Sequence, residues 1–508
     1  MVKPAMLFQD GMVIQRDQVV AVWGTAEPRA WVNVTLQGTT AQCRSNAKGE
    51  WQVKCGPFHT SLEEEMLISS GGEEIHIREV AIGEVWLAGG QSNMEFHMRH
   101  DVGLEIEKLN CDGRIRFFDY PEAAYEGQIN EADYGGHYGF WRACSPTQLE
   151  WFSAVAYYFA SSLCSRYNIP VGIVGCSWGG TPACAWMSEQ AITLCGGSAW
   201  LDDYDTAIAS LDIGKYSEDF KSNPANYKVN EFADPMTDIL LTGYPTETIL
   251  EKAAAIGITA DDLNPAVGPY SERRPTGLYH SMLKQVAPYA IKGVIWYQGE
   301  ADDEKAELYH KMFPALIRCW RDLWNDEFPF LFVQLAPFRH WMICKGARYP
   351  EIRAAQQWTA DHVQNTAMAV ITDAGCAWDI HPKNKRPVGE RLALLAQRYG
   401  YGDDILCEAP RMYGISVKDS QIKLYFNYVG QGLRLKGDKL NSLEIYQGGY
   451  PIGYTSCKAE GNTVTVLSDE IHAGMPTEAR IAWMDFYEVN LMNSAGIPAR
   501  PAIVSSRP

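Results

Sequence analysis

Five short apolar runs constrain this chain more than any other feature: Glu84–Ala88, Val171–Val174, Gly293–Tyr297, Phe330–Leu335 and Met368–Thr372. From about Gly83 they alternate with text of helical period, such as Phe152–Tyr167, where Phe152, Val155, Phe159 and Leu163 share a face, and Arg391–Tyr399. Strands that alternate with helices build βαβ units, so the predicted core is an α/β fold around a mostly parallel sheet. Glu307–Trp324 is also helical in pattern, with Pro314 expected to kink or interrupt it.

The flanking text differs. Up to about Val80, short alternating segments (Val19–Trp23, Trp31–Gln37, Glu50–Lys54, Glu74–Arg78) separated by turns such as Ala47-Lys48-Gly49 predict a small β domain. Strand pattern returns after Pro410 in Gln421–Phe426, Ser442–Tyr446, Thr463–Leu467 and Ala479–Trp483. The expected organisation is a sandwich-like β domain over 1–80, a catalytic domain over 81–408 and a β domain over 409–508. The polar text near 198–274 is expected to be an insertion carrying helices such as Thr246–Ala255. At 508 residues the chain is too long for one core.

Charge narrows the partners. A formal net charge of -18 with no Lys/Arg cluster argues against nucleic acid and against an anionic membrane surface. The apolar runs are far below the roughly 18 residues that span a bilayer. The N-terminal text lacks the apolar core of a secretory signal, so the chain is expected in the cytoplasm, or secreted if a leader preceded it. Thirteen cysteines without a Cys-x-x-Cys pair argue against a zinc knuckle and a disulfide framework, and are expected to be reduced and buried. No His-x-x-x-His pattern or Asp/His cluster calls for a metal, and no cofactor is expected.

In open parallel sheets, ligands bind beyond the carboxyl ends of the strands, and four ends here carry unusual polar text. After Val85–Ala88 comes Gly89-Gly90-Gln91-Ser92-Asn93-Met94, in which two glycines permit a tight exit and Ser92 can offer its hydroxyl and its own N–H. After Ile173-Val174 comes Gly175-Cys176-Ser177-Trp178-Gly179-Gly180, which formally matches the Gly-x-Ser-x-Gly elbow and makes Ser177 a rival nucleophile. Val294–Tyr297 leads to Gln298-Gly299-Glu300, where a neutral side-chain amide suits oxyanion stabilisation. Val370–Thr372 leads through Asp373 to Trp378-Asp379-Ile380-His381. Of the eleven histidines, His381 is the one at a strand end beside an acid, which suits a general base.

Gly90-Gln91-Ser92-Asn93-Met94, Trp296-Tyr297-Gln298-Gly299-Glu300 and Asp379-Ile380-His381-Pro382-Lys383-Asn384-Lys385 resemble the sialate O-acetylesterase family of the SGNH hydrolases. Met6–Val13, Gly83–Trp86, Trp320-Arg321, Val333–Pro337 and Val489–Asn493 extend the likeness over nearly the whole chain. The resemblance implies a flavodoxin-like α/β/α core flanked by β domains, and a carboxylic ester hydrolase acting on an acetylated carbohydrate. It implies Ser92 as nucleophile, His381 as base, and Ser92, Gly179 or Gly180, and Gln298 as oxyanion donors. Gln91, Asn93, Trp178 and Glu300 are expected to contact substrate. Acetylated sialic acid and acetylated xylan or mannan fragments both fit; an inactive scaffold that only binds carbohydrate is the alternative.

The sequence departs from the family at a few positions. The usual acid lies three residues before the histidine, and Trp378 stands there. Asp379 is the first choice for the acid, Asp373 the second and a backbone carbonyl the third. Asp302 and His280 stand where asparagine is expected. Trp178, Trp186, Tyr297 and Trp378 are each either a platform for a pyranose ring or a core side chain.

Overall fold

One long strand organises the first part of the chain. In the computed structural model, which describes residues 1–103, 112–131, 138–223, 235–259, 262–263, 265–472 and 474–506, Glu73–Gly90 forms a single strand of 18 residues. Its first half pairs antiparallel with Ser61–Ser70. Its second half is buried on both faces and lies between two parallel partners, Val171–Ser177 and Gly293–Tyr297. The boundary expected near Val80 therefore falls inside a strand rather than a linker. The apolar text continues unbroken through Val80, Ala81 and Ile82, all buried.

The chain forms two compact units, 1–298 with 311–330, and 299–310 with 331–508. In the first, the sheet order runs Trp141–Ala143, Ile115–Asp119, Val171–Ser177, Glu73–Gly90, Gly293–Tyr297. Ile115–Asp119 pairs parallel with Val171–Ser177, and Trp141–Ala143 antiparallel with Ile115–Asp119, so the sheet is mixed. Neither of these two strands was expected from the sequence. Arg116 interrupts the apolar run, yet its guanidinium is satisfied inside the fold by the carbonyls of Gly11 at 2.9 Å and Met12 at 3.4 Å.

Helix Ala154–Tyr167 packs against this sheet, with Trp86 and Phe159 edge to face at 5.0 Å. It starts where the Ser153 hydroxyl accepts the Ala156 N–H and stops at Asn168 in the left-handed region, φ 54°. Ala306–Trp324 is helical throughout, so Pro314 does not end it. The helix buries Met312, Phe313, Leu316, Ile317 and Trp320 almost completely, and that packing outweighs the bond proline removes. The expected insertion carries helices Ala199–Ala209, Ile213–Ser222, Pro235–Leu241 and Thr246–Ala255.

In the second unit, helices Tyr349–His362 and Arg386–Leu395 pack on strand Thr366–Ala369. Two four-stranded antiparallel sheets follow, one around Gln421–Asn427 and Thr463–Leu467, the other around Leu443–Gln447 and Thr477–Ile481. Alternate residues Ile422, Leu424, Phe426, Val464 and Val466 join Ile445, Ala479 and Ile481 in one apolar cluster. The architecture is thus an α/β fold with mixed sheets, flanked by β-rich regions at both ends.

Candidate active site

Strand Glu73–Gly90 is central, and the later strands Val171–Ser177 and Gly293–Tyr297 flank it on both sides. In such a sheet a crevice opens beyond its carboxyl end. Register places three strand ends level, since Gly90 lies opposite both Ser177 and Tyr297. Gln91-Ser92, Trp178–Gly180 and Gln298, which follow these ends, are therefore gathered at one place in the first unit.

Two glycines make this exit possible. A Cβ on Gly89 would stand 2.8 Å from the Trp320 ring, and one on Gly90, at φ +138°, only 2.1 Å from the Tyr297 carbonyl oxygen. Gly90→Ala is expected to cost about 3 kcal/mol of stability in denaturant unfolding; an unchanged midpoint would show that the strands can part there freely. The Gln91 N–H then bonds the Tyr297 carbonyl at 3.0 Å. Ser92–Glu95 forms one helical turn, with Ser92 half-buried and Gln91 and Asn93 buried.

Ser177 is the last residue of a regular strand, and the Trp178 N–H bonds the Gly90 carbonyl at 3.2 Å. A nucleophile elbow needs a sharp turn from strand into helix. The chain at Ser177 instead enters an open turn followed by Pro182, and Ser177 lines a pocket with Glu95, His97, Asp119 and Glu122.

The turn after Trp178 is fixed from below. Thr181 Oγ donates to the Trp178 carbonyl at 2.7 Å and accepts from Trp186 Nε1 at 3.0 Å. Gln298 Nε2 donates to the Thr181 carbonyl at 3.2 Å, with the Gln298 side chain wholly buried. The Gly179 N–H donates to Glu95 Oε2 at 2.8 Å, and a Cβ on Gly179 would lie 3.2 Å from Ser92 Cβ. Gly180, at φ +72°, is exposed, and its N–H has no partner among the described residues. Trp186 and Tyr297 are fully buried; Trp186 stands edge-on to Trp296 at 6.3 Å and serves the core. Glu95 was not singled out in the sequence, although its position three residues after Ser92 puts both on one face of a helical turn.

The second unit brings Asp379 and His381 together. Asp379 Oδ1 accepts the His381 backbone N–H at 2.9 Å and lies 3.8 Å from His381 Nδ1, a separation of ion-pair length. Asp379 Oδ2 pairs with Lys383 Nζ at 2.9 Å. Burial lowers the Lys383 pKa, against the pull of Asp379. Lys383 was missed as a partner although it follows Asp379 by four residues. The His381 ring meets Trp341 edge-on at 5.1 Å. Asp373 is held bidentate by Arg391 at 2.6 and 2.7 Å, while Arg391 also donates to the Val370 carbonyl at 2.9 Å. Glu300 and Asp302 are buried in this unit. The structure thus gathers Ser92, Gly179, Gly180 and Gln298 in one unit, and Asp379 and His381 in the other.

Comparison with known proteins finds likeness to carbohydrate esterases. Residues 266–395 match a family described as "Carbohydrate esterase, sialic acid-specific acetylesterase", a span that contains Gln298, Asp379 and His381 and leaves out Ser92. At family level the chain matches sialate O-acetylesterase and carbohydrate esterase homologues. The sialate O-acetylesterase of Rattus norvegicus is 28% identical over 435 residues, covering 77% of this chain and 72% of the rat protein. That of Mus musculus is 27% identical over 431 residues, with the same coverage of 77% and 72%. A crystal structure of a carbohydrate acetylesterase from Xanthomonas citri shares 28% identity, covers 100% of both chains and superposes with a TM-score of 0.75.

Proposed function

We propose that the protein is a serine esterase that removes O-acetyl groups from a carbohydrate. The observation that carries this reading is the register of three strand ends, which sets Ser92, the Trp178–Gly180 turn and Gln298 side by side. The same reading assigns the core to the SGNH hydrolases, with a flavodoxin-like α/β/α arrangement.

In this reading Ser92 Oγ attacks the acetyl carbonyl while His381 takes its proton. Negative charge develops on the carbonyl oxygen, and the Ser92 N–H, the Gly180 N–H and the Gln298 amide answer it. The tetrahedral adduct collapses as His381 gives the proton to the leaving sugar oxygen. Water, deprotonated by His381, then attacks the acetyl-enzyme, and His381 returns that proton to Ser92 Oγ as acetate leaves. Asp379 holds the imidazole, with its other oxygen kept occupied by Lys383; the bidentate pairing of Asp373 with Arg391 favours a structural role for Asp373.

Glu95 is a positioning residue in this scheme, because it pins the Gly179 N–H and leaves Gly180 as the donor from the turn. Glu95→Gln keeps an acceptor for Gly179 and is expected to hold kcat within about threefold. Glu95→Ala loosens the turn and is expected to lower kcat by roughly 10- to 100-fold with KM little changed. Equal activity of the two variants would remove Glu95 from the scheme.

The reading is tested by measuring acetate release from acetylated sialosides, xylooligosaccharides and mannooligosaccharides. Turnover of at least one class is expected; no release from any of them would overturn it.

A further inference from the structure

We infer that Trp378 and Arg339 form a sugar-binding subsite on the second unit, taking a pyranose ring of the substrate next to the acetylated residue. The inference rests on the esterase reading. Of the aromatic side chains near the site text, Trp186 and Tyr297 are wholly buried, whereas Trp378 is 64% exposed. Leaving an indole in water forgoes the gain of burying a large apolar ring. The fold keeps this one out at a defined place: the next residue, Asp379, and the third, His381, are both buried. One short segment therefore turns its carboxylate and imidazole inward and its ring outward.

The ring stands on a fixed frame. The backbone N–H groups of Arg339 and His340 both bond the Ala377 carbonyl, at 3.1 and 3.0 Å, immediately before Trp378. The Phe338 N–H bonds the Asp485 carbonyl at 3.1 Å, and Arg339 Nε reaches Asp485 Oδ2 at 3.3 Å. The Arg339 guanidinium then lies 5.9 Å from the centre of the Trp378 ring and 6.0 Å from that of Phe486. The same strap continues into Trp341, whose ring touches His381.

A flat apolar face beside a half-exposed guanidinium suits a sugar. The face of a pyranose that carries axial C–H bonds stacks on an indole, while its hydroxyls, or a carboxylate where the sugar has one, accept from the remaining guanidinium N–H groups. Rigid aromatic contact also costs little conformational entropy on binding.

The test compares wild type, Trp378→Ala and Trp378→Phe on two kinds of ester. One is the acetylated oligosaccharide, among the three classes above, that wild type cleaves fastest; the other is a small chromogenic acetate. Trp378→Ala is expected to raise KM for the oligosaccharide roughly tenfold with kcat nearly unchanged, Trp378→Phe to recover part of the loss, and the small ester to respond to neither. An unchanged oligosaccharide KM overturns the subsite, and so does an equal loss on both esters, which would mark Trp378 as a support for His381. If wild type cleaves no acetyl ester, the esterase reading fails by itself. Calorimetric binding of xylotetraose, mannotetraose and sialyllactose to wild type and Trp378→Ala then decides the subsite: weaker binding of any one by the variant supports it, and no binding or equal binding overturns it.

Discussion

Ser92→Ala is expected to lower kcat/KM for acetate release by roughly 100,000-fold while leaving the melting temperature within about 2 °C of wild type. The size follows from the chemistry. Without Oγ no acyl bond forms, and what survives is attack by water assisted by the remaining oxyanion donors, which accounts for the residual rate when such a nucleophile is removed. The fold loses little, because Ser92 is half-buried and its backbone N–H and carbonyl remain. Ser177→Ala serves as the counterpart, since Ser177 ends a strand in regular register, and its rate is expected within about threefold of wild type. Kinetics with a chromogenic acetate, set beside thermal unfolding of the same samples, checks both variants. Loss with Ser177→Ala and none with Ser92→Ala would exchange their roles.

The proposed acid and base give the second large effect. His381→Ala is expected to lower kcat/KM by roughly 10,000-fold and to abolish the rise of rate with pH, because the imidazole must be neutral to take the Ser92 proton. Asp379→Asn keeps the shape but replaces a carboxylate that lies near His381 Nδ1 and accepts the His381 backbone N–H. A loss of more than about 100-fold in kcat is expected, with KM little changed. Asp373→Asn acts differently. It breaks the bidentate pair with Arg391, a side chain that is 11% exposed, and is expected to cost about 3 kcal/mol in denaturant unfolding with kcat of the folded enzyme nearly intact. A kcat loss from Asp373→Asn that matches or exceeds that from Asp379→Asn would make Asp373 the acid.

Much of the fold was legible because burial leaves a pattern in the text, an unbroken apolar run where both faces are covered and alternation or helical period where one is. Gly293–Tyr297, Thr246–Ala255 and Thr463–Leu467 have the bounds expected of them. Strand Ile115–Asp119 was not legible, since Arg116 reads as surface until the carbonyls of Gly11 and Met12 are seen around it. Pro314 does not interrupt its helix, because helix propensity is local, while the packing of Phe313 and Trp320 that overrides it is not. The domain boundary near Val80 was drawn where strand text changes character, yet one strand serves both neighbourhoods.

At the candidate site, the residues on strand ends stood out because glycine, serine and amide follow apolar runs there. Gly89 and Gly90 could be assigned to a tight exit, but their need for close approach to Trp320 and Tyr297 comes only from the assembled sheet. Glu95 and Lys383 did not stand out, because a carboxylate that bonds a distant glycine N–H and a lysine that pairs with Asp379 look like ordinary surface charges in a string of letters. The four aromatics near the site were equivalent in the sequence; only their burial separates Trp378 from Trp186 and Tyr297.

Transfer of the acetyl group from a sugar through Ser92 to water is checked by acid-quenching the wild-type protein during turnover of an acetylated oligosaccharide and mapping acetylated peptides by mass spectrometry. One acetyl group is expected on Ser92, absent from Ser92→Ala and chased away as substrate is exhausted. Acetyl on Ser177, or sugar deacetylation that persists in Ser92→Ala, would contradict it.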